Sequence, residues 1–357
     1  MRRDDGVADR RDPAVGSMGG ERSAAGPLVV VCRVTTACNL ACGFCAYDRR
    51  LAFARTTLDA RRIGHLIDLL AALRAPAPLL SWLGGEPLRW RDWRRWSACA
   101  RARGIRVSAT SNGSTLGTAA ARAEVLERLD ELTLSLDVAD ARHDALRGWP
   151  GGALRVLTAL RALARERAAL GSPLRLRANI VLMRSTIGDF ATLADALAAA
   201  GVDEISFNLL GGRDRPEFHA RESVLPAQFA HFQRELPALR ARLRDRHVVV
   251  AGDAQYAARL RAALAALPWP VADCDPGRDF LFVDEHGLLA PCAFTGAEYG
   301  IDLLDVDDLA ALPARFRAAR TLRCAAACSD CPSTQVSGKF ARGVDFMQVP
   351  RPALESA

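Results

Sequence analysis

The stretch that most restricts what this chain can become is a buried strand that empties into a loop of thiols. Leu28 to Thr35 is a continuous apolar run with Val at four positions, the pattern of a strand covered on both faces. Cys38, Cys42 and Cys45 follow at once, separated by three and then two residues. Three thiolates in one short loop suit a [4Fe–4S] cluster in which one iron lacks a protein ligand and stays open to a substrate. A structural zinc would want a fourth Cys or His close by, and the loop offers none.

Downstream, apolar strand runs alternate with segments of helical period. Leu58 to Leu73 reads as the first crossover helix. Leu79 to Leu83 is a second strand running into Gly84-Gly85-Glu86-Pro87. Adjacent glycines permit close backbone approach, and Pro87 can open a helix at its first position, which leaves Glu86 at a strand terminus. Ile105 to Thr110 is a third strand ending at Ser111-Asn112-Gly113, with Ala119 to Leu129 as its helix. Leu132 to Leu136 ends in Ser135-Leu136-Asp137, and Leu154 to Ala168 follows it as a helix. Leu174 to Met183, Ala191 to Ala200 and Glu204 to Leu210 complete the series. Six strand–helix repeats without a clear seventh predict an α/β fold, a partial (β/α)6 TIM barrel open on one side. Its active site should lie at the carboxyl ends of the strands.

The flanking segments set the expected organisation. Residues 1–27, rich in Arg, Asp, Gly and Ser, read as a disordered tail without a signal peptide's apolar centre. The barrel occupies 28–212. Residues 213–272 are helical in pattern, with Pro226 and Pro237 as breaks, and would cover the open side. Residues 273–357 form a small C-terminal α+β unit: two short strands about Asp284-Glu285-His286-Gly287, then a helix over Asp307 to Ala319.

The formal charge of +7 suggests nucleic acid at first sight. The basic residues are almost all Arg, however, and are spread along the chain with no basic stripe interleaved with aromatics. No apolar run reaches the length of a membrane span. A cytoplasmic protein is expected, and its ten cysteines then argue for metal or cluster ligation rather than disulfides.

The Cys38, Cys42 and Cys45 spacing, Phe44 before the last cysteine, and the Gly84-Gly85-Glu86-Pro87 turn together resemble the radical S-adenosylmethionine (SAM) enzymes. The resemblance implies that SAM chelates the open iron, that the reduced cluster cleaves it to a 5′-deoxyadenosyl radical, and that the radical takes a substrate hydrogen. An external reductant such as flavodoxin or ferredoxin is implied with it. Gly84, Gly85 and Glu86 would accept the SAM ammonium, and Ser135 and Asp137 would contact its ribose or methionine part. Arg147 would bind its carboxylate, with Asn112 and Asn179 as further contacts.

Cys274, Cys292, Cys324, Cys328 and Cys331 resemble the twitch domain, the shortened SPASM extension that carries an auxiliary [4Fe–4S] cluster. Cys274, Cys292, Cys328 and Cys331 fit that pattern best, and Cys324 stands as a substitute; four such thiolates would equally make a zinc site. In relatives that oxidise a sulfatase residue an Asp base follows the cysteine at the Cys292 position, and here it is Ala293. Other candidate bases are Asp253, Tyr256, Asp275 and Asp279. The implied function is oxidation, epimerisation or cross-linking of a peptide or small metabolite in natural-product or cofactor biosynthesis, with any peptide-recognition module on a separate protein. The alternatives are an iron–sulfur electron-transfer or scaffold protein without SAM turnover, and a zinc-stabilised nucleic-acid binder.

Overall fold

The computed structural model describes residues 27–73, 75–212, 214–265 and 277–323. Cys274, Asp275, Cys324, Cys328, Cys331 and the tail up to residue 26 lie outside them.

The first half of the chain folds as strand and crossover helix in turn. The elements are β1 (Val29–Thr35), α1 (Ala60–Ala71), β2 (Leu79–Gly84), α2 (Trp93–Ala102), β3 (Arg106–Ser111), α3 (Ala119–Arg128), β4 (Glu131–Ser135), α4 (Ala141–Arg147), α5 (Gly152–Ala169), β5 (Arg175–Leu182), α6 (Phe190–Ala199) and β6 (Glu204–Leu209). Local chemistry fixes several ends: the carboxylates of Asp59 and Asp140 and the hydroxyl of Thr118 cap α1, α4 and α3. Gly148 closes α4 in the left-handed conformation.

Beyond β6 come α7 (Pro216–Glu222), α8 (Pro226–Arg244), β7 (Val249–Val250), α9 (Ala254–Leu264), β8 (Phe280–Val283), β9 (Leu288–Ala290), α10 (Gly296–Tyr299), β10 (Ile301–Asp302) and α11 (Leu312–Arg323). The strands form one sheet in the order β10-β9-β8-β1-β2-β3-β4-β5-β6-β7. From β1 to β7 every pairing is parallel, and β8 also lies parallel to β1. Only the β8–β9 and β9–β10 pairs are antiparallel.

Three expectations change. A short seventh parallel strand exists at Val249–Val250 on the β6 edge, too brief to register as a period-two pattern inside a helical segment. Pro226 sits in the first turn of α8, and Pro237 lies within that helix; burial of Phe229, Phe232, Leu236, Leu239 and Leu243 along one face outweighs the bond that a proline cannot donate. The expected hairpin does form, and it continues the barrel sheet through β1. The expected helix begins at Leu312, after 3₁₀ turns at Leu303–Asp305 and Leu309–Ala311.

Alternation along the strands divides the sheet's two faces. Val30, Cys32, Leu80, Trp82, Val107, Leu132, Ala178 and Phe207 point outward into the main core beneath the helices. On the inner face Val29, Val31, Leu79, Phe280 and Phe282 make a separate apolar cluster over β8, β1 and β2. The inner face of β4 to β6 is polar instead: Arg177 pairs with Glu131 at 2.7 Å and with Glu204, all three being buried. None of the described helices is long and apolar enough to cross a membrane.

Candidate active site

β1 delivers the chain to the three-cysteine loop, and several elements hold that loop in place. The Gly84-Gly85-Glu86 turn lies directly against its start: Gly85 N–H donates to Thr35 O at 2.7 Å, and Glu86 N–H to Ala37 O at 2.9 Å. A Cβ on Gly85 would stand 2.2 Å from Ala37 O, and one on Gly84 2.3 Å from Thr35 O. Only glycine permits this approach.

From the other side, Ala41 N–H donates to Arg147 O at 3.1 Å and Gly43 N–H to Leu146 O at 3.2 Å, so the last turn of α4 docks the middle of the loop. Arg55 closes the third side, its guanidinium donating to the carbonyls of Thr36, Tyr47, Asp48 and Leu51. Arg50 adds a bond to Ala41 O and an ion pair to the buried Asp48. No sequence spacing announced Arg50, Arg55 or Asp48, because each acts through loop carbonyls or a neighbouring charge.

The thiols are set for a charged group. Leu40 N–H points at Cys38 Sγ and Tyr47 N–H at Cys45 Sγ, both at 3.4 Å, and the Asn112 side-chain amide approaches Cys38 Sγ at 3.8 Å. Burial nevertheless raises the pKa of Cys38 and Cys45 and pushes Cys42 up to about 12. Buried thiolates therefore need compensating positive charge, which an iron core supplies, so the donor set fits a cluster. Among the described residues, no three His, Cys, Asp or Glu side chains converge as a single metal ion would require.

Glu86 is buried, and its carboxylate is engaged by the protein. Oε1 accepts from Leu88 N–H at 3.1 Å and Ser111 Oγ at 2.8 Å, and Oε2 from Asn112 N–H at 2.7 Å. Burial lifts its pKa to about 6 despite those donors. Asp137 receives Arg147 Nε at 2.8 Å, Arg147 Nη2 at 3.1 Å and Val181 N–H at 3.1 Å. Burial works to raise its pKa, but Arg147 and His143 hold it below the usual carboxylate range. His143 Nδ1 accepts the Asp137 N–H at 3.2 Å, and burial brings its own pKa down to about 4.

Residues 32–170, the segment that supplies all of these groups except Val181 N–H, match the radical SAM superfamily. The chain carries a radical SAM domain.

Its curated relatives include the AdoMet-dependent heme synthase of Methanosarcina barkeri, 31% identical over 38% of this chain and 39% of that protein. The PqqA peptide cyclase of Ruegeria pomeroyi is 28% identical over 65% of this chain and 60% of that protein. The chain thus spans less than two thirds of the curated relatives it matches. Among solved structures, Streptococcus suis SuiB bound to S-adenosylmethionine superposes with a TM-score of 0.61 at 17% identity, over 84% of this chain and 71% of that one. anSMEcpe with bound AdoMet gives 0.57 at 15% identity, over 78% of this chain and 79% of that one. These likenesses show that the chain shares the fold of those two structures.

Around the radical SAM core, the remaining expected residues fall in different places. Phe44 packs against Phe218, ring centroids 5.9 Å apart, with the Arg147 guanidinium 5.4 Å from its ring. Ser135 and Asn179 are register partners at the inner rim, where the Asn179 amide donates to Asn208 at 3.0 Å and accepts from Ser206 at 3.0 Å. Cys292 and Ala293 pack against the inner apolar cluster, as does Leu83.

Among the described residues, the candidate bases Tyr256, Asp279 and Asp253 do not gather. Tyr256 is buried and donates its hydroxyl to Phe207 O at 2.7 Å, and burial raises its pKa, so it serves packing. Asp279 precedes β8 at the amino end of the barrel, where its carbonyl receives Val29 N–H, on the far side from the cysteine loop. Asp253 caps α9 just beyond β7, its carboxylate accepting Tyr256 N–H at 2.7 Å.

Proposed function

We propose that this protein is a radical SAM enzyme that modifies a peptide. The observation that carries the reading is the direct bonding of the three-cysteine loop to the Gly84-Gly85-Glu86 turn, through Thr35 O and Ala37 O. Two motifs about 40 residues apart in sequence become one site at the mouth of the barrel.

Cys38, Cys42 and Cys45 would hold the cluster. Bound there with SAM, it supplies an electron for reductive cleavage and so the means to remove a hydrogen atom from the substrate. The chain's own groups prepare that event. Asn112 and the loop amides donate toward the thiolates, Glu86 ties β2 to β3, and the inner apolar cluster keeps solvent from the space beside Leu83 and Ala293.

A peptide substrate is supported by neighbours crystallised with peptides, SuiB with its precursor SuiA and anSMEcpe with Cp18Cys, and by the PqqA peptide cyclases among the relatives. Cys292, beside that apolar cluster, would join Cys274, Cys328 and Cys331 on an auxiliary cluster, with Cys324 as a substitute ligand. An external reductant delivers the electron, and a separate protein would present the peptide.

Anaerobic reconstitution with iron and sulfide counting tests this, comparing wild type with Cys38→Ala, Cys42→Ala and Cys45→Ala combined. About eight irons should fall to about four, with SAM cleavage lost, since each [4Fe–4S] cluster holds four. Cleavage that survives the triple change refutes the proposal.

A further inference from the structure

Arg147 is 6% exposed, and its guanidinium is engaged on one carboxylate: Nε donates to Asp137 Oδ2 at 2.8 Å and Nη2 to Asp137 Oδ1 at 3.1 Å. Its charge faces the Phe44 ring, next to Cys45. Its own carbonyl accepts Ala41 N–H and lies 3.9 Å from Cys42 Sγ. Gly148 lets this turn close on the loop, since a Cβ there would come within 2.8 Å of the Ala41 Cβ. The same guanidinium favours the thiolates of Cys42 and Cys45, whereas Asp137 opposes that of Cys42.

We propose that Arg147 acts on the cluster rather than on the SAM carboxylate: it is a positioning residue whose fixed charge, partly offset by Asp137, sets the reduction potential of the cluster held by Cys38, Cys42 and Cys45. The inference rests on the cluster-binding reading above. Reduction adds a negative charge to the cluster, so a buried cation beside two of its ligands favours the reduced form and a buried anion opposes it. Loss of the bidentate bond should also loosen the loop, because Asp137 ties α4 to β5 through Val181 N–H. Loosening alone, however, predicts no opposite signs for the two partners.

The test is an EPR-monitored redox titration of reconstituted wild type, Arg147→Gln and Asp137→Asn, following the signal that changes when SAM is added. Removing the cation should move the midpoint to lower potential, and removing the anion should move it to higher potential. SAM affinity, read from the same EPR change, should differ by less than threefold in Arg147→Gln. If Arg147→Gln assembles no cluster, Asp137→Asn alone decides: a rise supports the assignment, and a fall or no change overturns it. Shifts of the same sign in both variants, or unchanged potentials with SAM affinity at least tenfold weaker in Arg147→Gln, overturn it and return Arg147 to the carboxylate. Absence of any SAM-responsive cluster signal in wild type would instead overturn the underlying reading.

Discussion

Glu86 offers a sign-specific prediction. Its carboxyl is buried, and its pKa rises from 4.5 to about 6 because burial outweighs the bonds from Asn112, Ser111 and Leu88. The unfolded chain sheds this proton near 4.5 and the folded chain near 6, so between those values the folded state holds more protons. Stability contributed by the neutral carboxyl is therefore complete below pH 4.5 and is lost as pH rises through 6. At about 1.4 kcal/mol per unit the loss is about 2 kcal/mol. Glu86→Gln cannot titrate, but its amide leaves one of the donors facing another donor, a cost of about 1–3 kcal/mol at any pH. Urea unfolding of the iron-free proteins between pH 4 and 7 measures the difference directly, since every other titrating group cancels. Wild type should lose about 2 kcal/mol relative to the variant as pH rises. A flat difference, or a wild type that gains with pH, would show that the three donors dominate and would refute the reasoning.

Gly85→Ala places a Cβ 2.2 Å from Ala37 O, a backbone atom that cannot step aside; a destabilisation of about 3 kcal/mol should appear in thermal melting, together with loss of reconstituted iron. Arg177→Met removes the cation shared by the buried Glu131 and Glu204 and leaves Arg175, 3.7 Å from Glu204, beside them, so unfolding experiments near pH 7 should find the variant less stable by about 3 kcal/mol.

Much of the barrel was legible because parallel strands buried on both faces leave continuous apolar runs, as in Val29 to Val31 and Leu79 to Leu80. The cysteine loop and the Gly84-Gly85-Glu86 turn were legible for a different reason: thiolate spacing and glycine tolerance are local properties. What the sequence concealed is pairing. Nothing in the order of residues says that Arg147 meets Asp137, that Arg55 collects four loop carbonyls, or that β8 lies beside β1. Arg175 and Arg177 alternate within β5, and the sheet's register brings Glu131 and Glu204 to them, a charged inner face that no single strand discloses. Val249–Val250 escaped because two residues define no period.

The place of β8 beside β1 has a consequence for how the protein is made. β1 leaves the ribosome long before β8, and one of its two edges stays without a strand until the hairpin is synthesised. Arg33, 252 residues before the Glu285 with which it pairs, waits equally long. Joining points so distant carries a loop-closure cost and slows the final step, while the waiting edge invites wrong partners. The nascent barrel therefore passes through a stage in which the thiol loop is formed but its flank toward the hairpin is still open. Throughout that interval the strand that leads into Cys38 lacks both its β8 neighbour and the Arg33–Glu285 ion pair.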